Sequence, residues 1–169
     1  MIQVGILGAA GLSGQELLQR LAGHPEAEVQ VATSTKFQNQ GIHEAFPFLP
    51  ESSLIFSGHD ADLSECDVVF LAVPNKASLE YTPKLLEQGI RVIDLSGVYR
   101  IRDIKIFEES YALKHSSPEL LQEAIFGLPE YFRSSLSDAR LVANPGCYPT
   151  GALLGILPFG DLLESLDRP

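Results

Sequence analysis

Apolar positions in this chain fall into short continuous runs, separated by stretches in which they recur at helical spacing. Ile2 to Leu7 is apolar except for Gln3 and Gly5 and runs into Gly8-Ala9-Ala10-Gly11-Leu12-Ser13-Gly14, after which Leu17, Leu18 and Leu21 share one helical face. This reads as strand, glycine turn and helix. Val29 to Thr33 predicts a second strand, and Asp67 to Val73 a third, continuous as expected where both faces of a parallel sheet are covered. Between them, Phe37 to Glu51 has no period, contains Pro47 and Pro50, and reads as an ordered covering loop. Ser53 to Phe56 fits a short strand and Asp60 to Glu65 a solvated turn. Pro74-Asn75-Lys76 ends the third strand, a helix over Ser78 to Gln88 closes at Gly89, and Arg91 to Leu95 gives another strand.

The pattern is less regular from Phe107 to Glu123, where Ser116-Ser117-Pro118-Glu119 resembles a helix start, and Phe126 to Tyr131 reads as a turn. Leu141 to Ala143 then suits a buried strand end. Asn144 precedes Pro145 and is pushed toward extended backbone, while Pro149 suits the first position of a helix continuing through Ala152 to Leu157. The alternation predicts an α/β fold with a mostly parallel, doubly wound sheet.

Composition narrows the class. The chain has 169 residues, 45% of them hydrophobic and 20% charged, as expected of a folded domain rather than a disordered one. A net charge of −10 argues against nucleic-acid binding. No apolar run approaches a membrane span, and Met1-Ile2-Gln3-Val4 enters strand pattern without a basic leader, so the expected location is cytoplasmic. Cys66 and Cys147 form no disulfide framework, and four scattered histidines give no metal-site spacing.

Three clusters carry candidate chemistry. In the G-x-x-G-x-x-G turn, Gly8, Gly11, Leu12, Ser13 and Gly14 place backbone amides and a helix N-terminus where a pyrophosphate binds. Past the second strand stand Ser34, Thr35 and Lys36 instead of the acidic residue that holds the ribose hydroxyls of NAD; hydroxyls and a cation suit the 2′-phosphate of NADP. Pro74, Asn75 and Ser96 follow strand ends, where ligands of open α/β sheets gather, and are candidates for the nicotinamide side. Arg100 follows the strand ending near Leu95 and could hold an anion in fork geometry; Arg102 is a weaker candidate. Cys147 sits at a helix mouth, where the partial positive charge favours a thiolate. Local context leaves a nucleophile and a small turn-filling residue both open.

Together these stretches resemble the aspartate-semialdehyde dehydrogenase family, and within it the branch that reduces an N-acetylated glutamyl phosphate in arginine biosynthesis. The resemblance is carried by Gly8 to Leu17, Phe46-Pro47-Phe48-Leu49, Asp67 to Pro74, Val92 to Ser96, Gly127-Leu128-Pro129-Glu130 and Ala143 to Thr150. It implies a Rossmann-type domain over residues 1–143 holding NADP, and over residues 144–169 the nucleophile loop and first helix of a truncated catalytic and dimerisation domain. It implies Cys147 as nucleophile, Arg100 and Asn144 as substrate contacts, and reduction of N-acetylglutamyl 5-phosphate to the 5-semialdehyde through a thioester, with phosphate released. The general acid, further substrate contacts and the surface of a dimer or tetramer are expected beyond Pro169, so the fragment alone is expected to be inactive. A related reductase of lysine biosynthesis, acting on a carrier-linked acyl phosphate, shares this chemistry and stays open, as does a binding-only role. Two stretches depart from the family pattern: Asn75-Lys76 replaces histidine-glycine, and Gly97-Val98-Tyr99-Arg100 replaces alanine-aspartate-phenylalanine-arginine.

Overall fold

A computed structural model describes residues 1–160 of the chain. Six strands, all parallel, form one sheet: β1 (Ile2–Leu7), β2 (Ala27–Ala32), β3 (Val68–Leu71), β4 (Arg91–Asp94), β5 (Ile125–Phe126) and β6 (Leu141–Ala143), in the order β2-β1-β3-β4-β6-β5. The helices are α1 (Leu12–Leu21), α2 (Ile42–Ala45), α3 (Asn75–Glu87), α4 (Ile104–Tyr111), α5 (Leu120–Glu123), α6 (Pro129–Leu136) and α7 (Cys147–Ile156). The predicted doubly wound α/β sheet is the one observed. From β1 the chain moves outward to β2 on one side and, after the covering segment, to β3 and β4 on the other. The carboxyl ends of β1 and β3 therefore flank the crevice where such sheets bind ligands.

Each sheet face has its own core. Val4, Ile6, Leu18, Ala32, Ile42, Leu49 and Phe56 pack on the α1 side, where the covering segment contributes an aromatic group of Phe37, Phe46, Phe48 and Phe56. Val69, Leu71, Val92, Leu141, Leu79, Leu85 and Phe107 pack on the α3 side. Alternation along β3 and β4 sends Val69, Leu71 and Val92 to the α3 side and Phe70 to the α1 side.

Several elements differ from the sequence expectation. The stretch Ser53 to Phe56 forms no ladder; it contributes one isolated bridge, Ile55 to Gly41, and Ser57 beside it bridges Thr33. The covering loop contains the single turn α2. Helix α3 begins at Asn75 with Pro74 as its N-cap, three residues earlier than expected, and it tolerates Pro83 inside it. Proline cannot donate to the carbonyl four residues back, and that carbonyl, on Leu79, receives Ser116 Oγ at 3.5 Å instead. The expected turn at Phe126 to Tyr131 is the edge strand β5 followed by α6. Both lack a readable period, because β5 has only two residues and α6 is kinked at Phe132. Helix α7 starts at Cys147, so Pro149 is its third residue rather than its first. Residues 161–169, the tail of the expected second unit, lie outside the described residues.

Candidate active site

The carboxyl ends of β1, β2, β3, β4 and β6 converge on one edge of the sheet, and nearly every predicted site residue lies there. Gly8 ends β1 with φ +81°, a conformation that side chains rarely adopt, and a Cβ there would overlap the Ala72 carbonyl. Gly14 permits the next close approach: a Cβ on it would stand 2.5 Å from Ala9 Cα, so α1 could not lie this close to the turn. Gln15 N–H reaches the Gly11 carbonyl at 2.8 Å, leaving the Leu12, Ser13 and Gly14 amides as the donors the helix does not satisfy itself. A cradle whose two tight points exclude any side chain, with a helix mouth behind it, fits a dinucleotide pyrophosphate.

At the end of β2, Thr33 ties the turn in place. Its Oγ1 accepts Gly8 N–H at 3.1 Å, and its backbone carbonyl accepts Ala9 N–H at 2.9 Å. Ser34 is buried, its Oγ accepting Phe37 N–H at 3.1 Å, which leaves its hydroxyl proton available. Thr35 and Lys36 are exposed, and Lys36 Nζ lies 5.0 Å from the centre of the Phe37 ring. All three predicted 2′-phosphate contacts therefore sit on one loop past β2.

A buried carboxylate that the sequence reading did not single out organises the loops around Ser96, expected to line the nicotinamide side. Asp94, the last residue of β4, has no exposed surface. Its Oδ1 accepts Ser78 Oγ–H at 2.8 Å and Ser96 N–H at 3.0 Å, while its Oδ2 accepts Ser96 Oγ–H at 2.7 Å. Burial pushes the Asp94 carboxyl above its ordinary range, against the opposing pull of the Ser96 and Ser78 hydrogen bonds and the Arg100 charge. Ser96, a predicted cofactor contact, thus has its hydroxyl proton committed to Asp94, while its oxygen accepts Val98 N–H at 3.3 Å. Pro74 stands at the mouth of α3, and the adjacent Asn75 Oδ1 accepts Gly97 N–H at 3.0 Å, joining the loops after β3 and β4.

The departure at Gly97-Val98 from the family pattern has a local reason. A Cβ on Gly97 would collide with the Tyr111 ring, so alanine does not fit, and Val98 is fully buried, where an aspartate would lack solvent.

Arg100 links β4 to the cysteine. Its Nε donates to the Asn144 carbonyl and its Nη2 to the Leu95 carbonyl, each at 2.7 Å, which fixes the guanidinium across the ends of β4 and β6. Its Nη1 lies 3.1 Å from where a Gly146 Cβ would be, and so faces the residue before Cys147. Asn144 N–H donates to the Asp94 carbonyl at 2.9 Å and Nδ2 to the Pro145 carbonyl at 3.2 Å, leaving Oδ1 without a protein donor among the described residues. Cys147 is exposed at the first position of α7. Thr150 N–H is bonded to the Gly146 carbonyl at 3.0 Å and Pro149 has no N–H, so Cys147 and Tyr148 supply the open amides of that helix mouth. Cys66, in contrast, is buried, and burial with the nearby Asp67, Asp62 and Glu65 charges pushes its thiol up. A groove of about 1100 Å³ opens at the amino ends of the strands beside Ile2, Asp67 and Arg91, away from all of these groups.

Fold and site together define a nucleotide-binding α/β domain with a cysteine and an arginine at its carboxyl edge. The sequence pattern described as "Semialdehyde dehydrogenase, NAD binding domain" matches residues 3–139, and the chain belongs to this family. An N-acetyl-gamma-glutamyl-phosphate reductase of Nitrosospira multiformis is 45% identical over 167 residues, covering 98% of this chain and 48% of that protein. The reductase of the same name from Halorhodospira halophila is 48% identical over 171 residues, covering 100% of this chain and 50% of that protein. The chain spans about half the length of the curated relatives it matches. Among solved structures, an aspartate semialdehyde dehydrogenase II from Vibrio cholerae superposes with a TM-score of 0.67 at 19% identity, covering 95% of this chain and 43% of that one. The aspartate semialdehyde dehydrogenase with NADP from Candida albicans gives a TM-score of 0.64 at 18% identity, covering 98% of this chain and 47% of that one. These likenesses show the shared fold.

Proposed function

We propose that this chain is the cofactor-binding and nucleophile-bearing part of an NADPH-dependent N-acetylglutamyl 5-phosphate reductase, acting in arginine biosynthesis. The observation that carries the reading is the placement of exposed Cys147 at the mouth of α7, beside the Arg100 guanidinium and on the same sheet edge as the glycine cradle. Relatives that match almost the whole chain and bear that reductase name support it.

Cys147 Sγ, as thiolate, attacks the acyl carbon of the substrate, the C–O bond to phosphate breaks, and a thioester on Cys147 remains. Arg100 is held by two carbonyls and its Nη1 has no hydrogen-bond partner among the described residues, so it binds the phosphate or carboxylate of the substrate. The Cys147 and Tyr148 amides are aimed at the same mouth and stabilise negative charge on the carbonyl oxygen as it becomes tetrahedral. The glycine cradle, with Leu12 and Ser13 at its helix mouth, holds the pyrophosphate; Ser34, Thr35 and Lys36 hold the 2′-phosphate, and Pro74 and Ser96 line the nicotinamide side. When bound there, NADPH supplies the hydride that takes the acyl group to the aldehyde.

The contacts of the four histidines lie with other groups than Cys147. His24 Nδ1 accepts Glu26 N–H, His43 Nδ1 meets the Leu49 carbonyl, His59 is tied to Thr33, and His115 is buried between Tyr99 and Phe107. Residues 1–143 thus act as the NADP-binding domain, and residues 144–169 open the catalytic and dimerisation domain of an oligomeric enzyme.

The attack step is testable without cofactor. Incubating the protein with the acyl phosphate should release one equivalent of phosphate and add the acyl mass to the peptide bearing Cys147. Phosphate release that persists in Cys147→Ala, or acyl mass on another residue, would overturn the assignment.

A further inference from the structure

Beside the residues expected to read the 2′-phosphate lies a group that the proposed chemistry leaves unused. Ser57 pairs with Thr33 as a parallel bridge, and Ser34 N–H donates to the Ser57 carbonyl at 2.9 Å, so Ser57-Gly58-His59 runs alongside Thr33-Ser34-Thr35 past the end of β2. His59 Nδ1 is 2.7 Å from Thr33 Oγ1. That hydroxyl oxygen already accepts Gly8 N–H at 3.1 Å, and its one proton has His59 Nδ1 as the acceptor within reach. With Nδ1 accepting, the ring proton is on Nε2; this tautomer is assigned from the network. The Tyr81 hydroxyl donates to the His59 carbonyl at 3.4 Å, which fixes the backbone as well. His59 is half-buried, and its Nε2 makes no hydrogen bond among the described residues.

We propose that His59 is a cofactor-discriminating residue whose Nε2–H donates to the 2′-phosphate of NADPH. The inference rests on the cofactor reading above and adds a residue to it. The position fits the role because the end of the strand after the glycine turn is where the adenosine ribose is read, and a phosphate there offers three acceptor oxygens to donors arriving from both sides. Lys36 approaches from the loop after β2 and His59 from the parallel segment. Through Thr33 the imidazole is also joined to the Gly8 amide, so the group reading the ribose is held by the turn that cradles the pyrophosphate.

A purely structural role makes a different prediction. If His59 only steadied Thr33 and Gly8, its loss would weaken NADPH and NADH alike. Calorimetric titration of the protein with each cofactor separates the two. His59→Ala is expected to weaken NADPH binding about tenfold, equivalent to about 1.4 kcal/mol, and to change NADH binding less than about twofold. His59→Asn can keep a partner for Thr33 near the Nδ1 position but lacks Nε2, and should show the same selective loss; this guards against misreading a folding defect. Equal losses for both cofactors, or unchanged NADPH binding in both variants, would overturn the proposal while leaving the cofactor reading intact. Failure of the unaltered protein to bind either cofactor would overturn both.

Discussion

At the scale of single residues, His115 offers a clean test of how burial sets charge here. It packs edge-on against Tyr99 and Phe107, its Nδ1 accepts Ser117 N–H at 3.1 Å, and its buried Nε2 has no partner among the described residues. Burial holds its pKa below the ordinary 6.5, against the weaker opposing influence of the Val98 carbonyl and the Glu119 and Glu108 charges. Tyr99, in the same cluster, is pushed up to about 12 by burial. The folded-state value of His115 is the depressed one, so its contribution to stability is present above about pH 6.5 and is lost as pH falls through the folded value. One proton limits the slope to about 1.4 kcal/mol per pH unit. The unfolding free energy of the wild type should therefore drop faster between pH 7.5 and 5.5 than that of His115→Phe, narrowing the gap between them. A gap independent of pH would contradict the account.

The same scale shows what the sequence revealed and what it hid. The placement of Cys147, Gly8 and Gly14 was legible because it depends on each residue's own backbone position, at a strand end or a helix mouth. Asp94, Thr33 and His59 were not, because their roles are hydrogen bonds to groups distant in sequence: Thr33 to Gly8 and His59, Asp94 to Ser78. Only the placement of Asp94 as a carboxylate closing the apolar run Val92-Ile93 hinted at a buried role.

Among the elements, α1 and α7 both begin beside a candidate ligand, yet they differ in how closely they are packed. Gly14 in α1 has Ala9 Cα and the Gly8 carbonyl oxygen 2.5 Å from where a Cβ would lie, whereas a Cβ on Gly151 in α7 would meet nothing within 4 Å among the described residues. Alanine gains roughly 1 kcal/mol of helix propensity over glycine, while overpacking costs about 1–3 kcal/mol. Gly14→Ala should therefore lower the unfolding free energy by about 1 kcal/mol and weaken NADPH binding. Gly151→Ala should raise stability by up to about 1 kcal/mol. Urea titration of both variants checks the pair, and equal effects would contradict the close packing of α1 on the turn. Element boundaries were legible where period and punctuation agreed, as at β1, α1 and β4. They were lost where tertiary contacts decide, as in two-residue β5, kinked α6, and α3, whose Pro83 leaves the Leu79 carbonyl to Ser116.

In the whole molecule, the alternation of strand and helix announced a parallel α/β sheet, but the lateral order β2-β1-β3-β4-β6-β5 depends on which strands meet in space. That order brings the functional groups together. It places β6 next to β4, and so lets Arg100 reach from the Leu95 carbonyl to the Asn144 carbonyl and face the start of α7. The glycine turn and Cys147, more than a hundred residues apart in sequence, then share one edge. The central claim is that this edge reduces an acyl phosphate through Cys147. Its most direct test is the reverse reaction, in a protein carrying this chain at the full length of its relatives: reduction of NADP by N-acetylglutamate 5-semialdehyde, with and without phosphate, beside Cys147→Ala. The account predicts turnover that requires both phosphate and Cys147. Turnover that survives the loss of Cys147, or binding of NADP with no turnover in the presence of phosphate, would contradict it.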